Sequence, residues 1–226
     1  REYTYDKEGN LYVSVRYGYR LELPSGEVKT TPNMYANALI KFSPEYEVLW
    51  YKEVNINTKV SLSKEMNIVC DKISCDETQD RVYIYVFADR SDSIGIDTCY
   101  YDDHIIAILE TNKVDQAHFL ISINADNGDY ISSVSLTNYA RGQENIIFKD
   151  GANEGIYYRG EIYKDFENEI YKNGVDKWFY TKLSSDFEPI WEYKIGGERM
   201  EYLNHAVVNE PDPKMYIIGD TMYLTY

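Results

Sequence analysis

Short alternating segments of apolar and polar residues, separated by polar clusters, run the length of the chain. "NLYVSVRY", "RVYIYVFA", "EGIYYRGEIY" and "KMYIIGD" are rich in Tyr and β-branched residues. Each follows a cluster of turn formers: "DKEG", "DETQD", "KDGAN" and "NEPDP". Alternation bounded by Asp, Asn, Gly and Pro predicts hairpins. No long window carries a helical period; "SLSKEMNIVC" comes nearest, and it runs into β-like sequence. The pattern predicts an all-β fold.

One phrase recurs. "KFSPEYEVLWYKEV" begins at Lys41 and "KLSSDFEPIWEYKI" at Lys182, and "ISINADNGDYISSVSL", beginning at Ile121, is a degenerate third copy. Each reads as two strands joined by a polar turn, and one of the hairpins above precedes each phrase. The predicted unit therefore has four strands, A to D. Unit 1 covers about residues 1–55, unit 2 about 65–137 and unit 3 about 143–196, and a half unit spans 202–226. Repeated four-stranded antiparallel units are the signature of β-propeller blades, whose faces are buried only by stacking on neighbours. Trp50 and Trp191 are expected to fill the space between blades. Ile131 takes the Trp position in the middle phrase.

"DKEGNLYVSV", "NALIKFSPEYEVLWYKEV" and "WFYTKLSSDFEPIWEYKIGGERMEYLNHAVVNEPDPKMYIIGDT" resemble the β-propeller repeats of secreted bacterial proteins called SBBP repeats. That pattern has a D-x-x-G-N hairpin, then a Lys-to-Trp hairpin with a Gly in its turn, then Gly-Gly. The resemblance is best over 178–222 and fair over 5–54, and the middle phrase is similar to quinoprotein-type blades. It implies a propeller and no particular activity, because fold does not fix function. Propellers have about four to eight blades, so three and a half predict an incomplete array. The expectation is part of a longer propeller, or one completed by another chain, since its open edge would otherwise invite unwanted pairing.

Composition adds an emphasis. Of 226 residues, 24 are Tyr, against 7 Phe and 3 Trp. Tyr suits strand faces, where the ring buries and the hydroxyl keeps a partner, and it also suits binding surfaces. The formal net charge of −15 disfavours nucleic acid and anionic membrane as partners and permits a cation or a basic partner, and no apolar run approaches the length of a membrane span, which argues against membrane insertion. No signal peptide is visible, and no Asn-x-Ser/Thr acceptor occurs.

The long insertions lie between strands B and C, over residues 18–36, 89–103 and 164–176, so they share one rim. Non-repeating loops on one rim mark a binding face. Its candidate residues are Tyr17, Tyr19, Tyr35, Tyr100, Tyr101, Asp102, Asp103, His104 and Tyr171. They suit a protein, other copies or subunits of an assembly, or a sugar. The acidic turns invite calcium, yet none fits the twelve-residue loop, and ordinary turns use the same residues. No cofactor is expected. Three cysteines are too few for a disulfide scaffold. A Cys₃His zinc site fails on topology, because Cys70 and Cys75 lie too far apart along one strand. Cys70 and Cys99 fall on one rim and are the candidate disulfide; three free thiols is the alternative.

No nucleophile, zinc or phosphate motif is present, and the three histidines are scattered. The leading expectation is a non-catalytic structural or interaction module of a surface or extracellular assembly. One alternative is a propeller hydrolase, lyase or quinoprotein with its site in a central channel. Another is an intracellular scaffold.

Overall fold

A computed structural model describes residues 2–31, 36–58, 67–76, 80–89, 96–110, 116–136, 145–149, 155–162, 177–195, 201–209 and 214–221. Among these the fold is all-β, with no helix and no closed barrel. The chain divides into two compact units. One comprises Arg1–Asn138 with Ser185–Phe187, the other Tyr139–Ser184 with Glu188–Tyr226.

The first unit holds two main sheets. In one, β1 (Tyr3–Tyr5), β2 (Leu11–Tyr17), β5 (Ala36–Phe42) and β6 (Val48–Thr58) run as an antiparallel meander. In the other, β7 (Asn67–Asp76), β8 (Arg81–Asp89), β11 (Gln116–Asn124) and β12 (Tyr130–Ser135) do the same. Residue alternation assigns the faces. On the first sheet Tyr12, Leu39, Trp50 and Val54 point inward, and on the second Ile73, Cys75, Val82, Ile84, Val86, Phe119, Ile121 and Ile123 do so; together they form one core. Ser14 Oγ donates to Cys70 O at 3.1 Å, tying the two sheets at their buried layer.

The two B–C insertions are not loops. The first folds into a hairpin, β3 (Arg20–Glu22) and β4 (Val28–Thr30). Its Leu21 and Leu23 cover the outer face of the first sheet, packing with Tyr17, Ala36, Ala38 and Ile40. The second contains β9 (Ile96–Tyr101) and β10 (His104–Glu110). This hairpin leaves its own sheet and pairs antiparallel with β6, from Val54 opposite Tyr101 to Thr58 opposite Asp97. The first sheet thereby has six strands, and β6 is not an edge. The third insertion, 164–176, lies outside the described residues.

In the second unit, β13 (Asn145–Lys149), β14 (Gly155–Ile162), β15 (Lys177–Leu183) and β16 (Pro189–Ile195) form a four-stranded meander. β17 (Glu201–Asn209) and β18 (Lys214–Thr221) form a separate hairpin.

The recurring phrase has one backbone design. Each C–D pair shifts register at the same point: Lys41/Phe42, Ser122/Ile123 and Lys182/Leu183. In each turn a Ser or Asn bonds both ways around the loop. Ser43 N donates to Glu47 O, Asn124 N to Asp129 O and Ser184 N to Glu188 O, at 2.9, 2.8 and 2.8 Å. Ser43 Oγ, Asn124 Oδ1 and Ser184 Oγ accept backbone N–H groups of the same turns, the self-bonding for which Ser and Asn are favoured in turns. One residue per turn is left-handed: Tyr46 at φ 65°, Gly128 at 72° and Phe187 at 65°. Two aromatic residues thus hold a conformation usually given to Gly. They stand where the resembling repeat pattern has its Gly.

The register also corrects the alignment of the middle phrase. Lys41 lies opposite Trp50 and Lys182 opposite Trp191, but Ser122 lies opposite Ser132. The Asn124–Asp129 turn is one residue longer than the others, so counting along the sequence lands on Ile131 and the sheet lands on Ser132. Ile131 is exposed.

Candidate functional site

Among the described residues, two of the places where polar side chains gather bear on a site. The first is a buried junction at the turn end of the first unit. Lys41 Nζ and Trp50 Nε1 donate to Ala125 O at 3.0 and 3.1 Å, and the Tyr12 hydroxyl lies 3.2 Å from the same oxygen. A carbonyl has two lone pairs. Lys41 and Trp50 fill both, so the single Tyr12 proton goes to Asp6 Oδ2, 3.1 Å away. Asp6 also accepts from Asn10 and sits 3.6 Å from Lys41 Nζ, with both side chains 7% exposed. The Lys41 ammonium lies 5.0 Å from the centre of the Tyr12 ring. Burial pulls the Asp6 carboxyl up, but the bonds from Asn10 and Tyr12 and the Lys41 charge outweigh it and hold it below its ordinary range. Gly128 lets this turn come close: a Cβ there would stand 3.0 Å from the Trp50 ring. The junction is buried and charge-compensated. Its chemistry is cohesion.

The second arrangement surrounds the tip of the β9–β10 hairpin, which reaches back from the second B–C insertion to the Asn124–Asp129 turn. Lys52 Nζ bridges Asp102 Oδ2 at 3.1 Å and Asp129 Oδ1 at 3.2 Å. Burial works against the Lys52 charge, yet its bonds to Asp102 and Asp129 raise it overall. His104 stacks on Tyr130, with ring centres 4.9 Å apart and planes 20° apart. Asp102, Asp103, His104 and Ile105 are exposed on the β9–β10 hairpin. The hairpin turn is anchored: Asp102 N donates to Glu53 O at 2.8 Å, and Asp102 has φ 51°. The Glu53 carboxylate accepts from Tyr17, Tyr51 and Asn55 at 3.1, 2.7 and 2.6 Å. Burial, with the hydroxyl's hydrogen-bond contacts to Tyr17 and Glu53, pushes Tyr51 far up.

Of the predicted face, Asp102, Asp103 and His104 are brought together at the surface, with Tyr100 half-buried beside them. Tyr19 is exposed at the start of the other insertion. Tyr17 and Tyr101 are buried and present no surface to a partner. Tyr17 is under the β3–β4 hairpin, and Tyr101 donates to Gly128 O at 2.8 Å. Their rings belong to the core because each insertion folds back on the sheet. Tyr35 and Tyr171 lie outside the described residues. Lys52, Asp129, Tyr130 and Ile105 complete the surface and were not singled out by sequence. Asp129 and Tyr130 follow the extended middle turn, which was the one available signal.

The candidate disulfide is absent. Cys70, Cys75 and Cys99 are free and buried. Cys70 is within β7 and Cys99 within β9, both in the shared core rather than on a rim. Burial pushes the Cys70 thiol up to about 12, against a bond from Ser14 that lowers it. Such a thiol is chemically quiet, because the thiolate is the reactive form. Among the described residues no group of three or more His, Cys, Asp or Glu side chains converges as metal ligands, and no helix is long and apolar enough to cross a membrane.

In comparisons with known proteins, no family model matches this sequence, and no curated protein matches it.

Proposed function

We propose that this chain is a non-catalytic interaction module, built of propeller-type blades of the SBBP-like kind, that contacts a basic protein partner through the tip of its second B–C insertion, the β9–β10 hairpin. Under this reading each four-stranded meander is a blade, and the phrase from Lys41 to Trp50 is the packing element between blades. The repeated bulge, left-handed turn residue and carbonyl junction support it. The function rests on one observation: the anchored β9–β10 hairpin displays Asp102, Asp103, His104 and Ile105 together at the surface. A rigid acidic patch with an aromatic and an aliphatic neighbour, on a chain of charge −15, suits a Lys- or Arg-bearing segment. As an interaction module it belongs to a surface or extracellular assembly. An intracellular scaffold is the second reading, favoured by the three free thiols, since oxidising compartments favour bridges.

Calorimetric titration with a lysine-rich peptide and with a neutral oligosaccharide tests the proposal. The peptide binds, binding weakens as salt rises, and the paired changes Asp102→Asn and Asp103→Asn abolish it. Binding of the oligosaccharide alone, or turnover of either probe, would overturn the reading.

A further inference from the structure

The turn that closes the buried junction also carries a reactive pair. Asn127 is exposed and is followed by Gly128. An Asn side-chain amide beside Gly is open to attack by the next main-chain nitrogen, because Gly has no Cβ to obstruct the approach. In that reaction the Gly128 N–H gives its proton to water or hydroxide. The nitrogen bonds to Asn127 Cγ, the Cγ–Nδ2 bond breaks and ammonia leaves. A five-membered succinimide remains. Water then opens it at either carbonyl. One product is an ordinary aspartate, and the other is an isoaspartate whose main chain runs through Cγ.

The fold keeps both reacting groups on other partners. Gly128 N donates to Asn124 O at 2.9 Å, which retains the proton that must leave. Asn127 Oδ1 accepts from Asp129 N at 2.9 Å, which aims the amide one residue past its attacker. The flanks are fixed as well. Ala125 O is held by Lys41 and Trp50, Gly128 O by the Tyr101 hydroxyl at 2.8 Å, and the Asp129 carboxylate by Lys52 at 3.2 Å. A Cβ at position 128 would stand 3.0 Å from the Trp50 ring, so the Gly128 main chain lies directly against it.

We infer that Asn127–Gly128 is a self-modification site gated by the buried junction. It cyclises only when the turn leaves Trp50 and Tyr101, and the isoaspartate it forms cannot seat again. That product adds one carbon to the main chain between Ala125 O and Gly128 O, the two carbonyls that the junction holds. It also turns the main-chain carbonyl of residue 127 into a free carboxylate. The ordinary aspartate keeps the chain length and an oxygen for Asp129 N, so it seats. A transient opening is thereby converted into a lasting one. The inference concerns the junction and is independent of the partner proposed above.

Peptide mapping of the full chain during incubation in mildly alkaline buffer tests it, with the urea-unfolded chain as reference. Asn173–Gly174, the other Asn-Gly pair of the sequence, is read separately in the same digests. In the folded chain Asn127 converts at least about tenfold more slowly than in urea, because only the opened fraction reacts. Tyr101→Phe removes one bond to the turn and keeps the ring. It raises the Asn127 rate several-fold and leaves the Asn173 rate unchanged. The isoaspartate form, separated by chromatography, unfolds at lower urea than the wild type, whereas Asn127→Asp unfolds with it. Equal rates in the folded and unfolded chain would overturn the inference. So would a Tyr101→Phe protein with the wild-type Asn127 rate or with both sites accelerated alike, or an isoaspartate form as stable as the wild type.

Discussion

The phrase from Lys41 to Trp50 and the phrase from Lys182 to Trp191 share register, bulge and turn, yet their tryptophans live differently. Trp50 is 8% exposed and donates to a carbonyl from another strand pair; Trp191 is 37% exposed. Local sequence builds the same hairpin twice. What differs is the partner: Ala125 O and the Gly128 backbone close over the first Trp. A repeated motif therefore carries a repeated shape, and its energetic weight depends on what docks against it.

The largest test of that contrast is removal of the two rings. Trp50→Ala should cost about 3–5 kcal/mol, the range for a buried aromatic, and Trp191→Ala only about 1 kcal/mol, because part of that ring is already in water. Urea unfolding followed by far-UV circular dichroism separates the two, and equal costs would erase the contrast. Next is the ammonium. Lys41→Met strands the Asp6 carboxylate in a buried site and should cost about 3 kcal/mol, whereas Lys182→Met stays within about 1 kcal/mol. Adding Asp6→Asn to Lys41→Met should recover part of the loss, since it removes the stranded charge.

The turns offer a smaller and opposite pair. Gly128→Ala places a Cβ against the Trp50 ring at a positive φ and should cost about 1–3 kcal/mol. Tyr46→Gly relieves a left-handed L-residue and should be neutral or stabilise by up to about 1 kcal/mol. Thermal melts of the two variants, shifting in opposite directions, check this.

The pH response sharpens the picture last. The Asp6 carboxyl is held below its ordinary 3.8, so its contribution is present above that pH and fades as pH falls through the folded value. At the other end, the Cys70 thiol moves from 9.0 to about 12. It contributes fully below pH 9, and that contribution fades as pH rises toward 12, because the unfolded chain ionises first. Urea midpoints measured against pH should fall on both limbs, and Asp6→Asn should flatten only the acid limb.

Much of the strand plan was readable from alternation and turn residues. The three phrases carry strand C through Lys41, Ser122 and Lys182, and β5, β11 and β15 run through those residues. The insertions were misread because pattern says what can form a strand and not where it will pair. "IDTCYY" read as part of a surface insertion and "HIIAILE" was assigned no element, yet they form a hairpin on β6, a strand about 40 residues earlier in the chain. The same long-range pairing buried Tyr101 and placed Cys99 in the core. Of the rim, Asp102, Asp103 and His104 were visible as a run, but Lys52 and Tyr130 come from other strands and only pairing brings them there.

By itself, the sequence determined the all-β character, the recurring hairpin and the places of its turns, because period-two alternation and turn chemistry act over a few residues. Tertiary structure decided which Trp is buried, that the cysteines sit as free thiols in a shared core, and that two insertions become sheet. Those outcomes depend on which surfaces meet across distant stretches of chain. Burial, hydrogen-bond closure and charge compensation are properties of both partners at once, and each half of the chain carries only one of them.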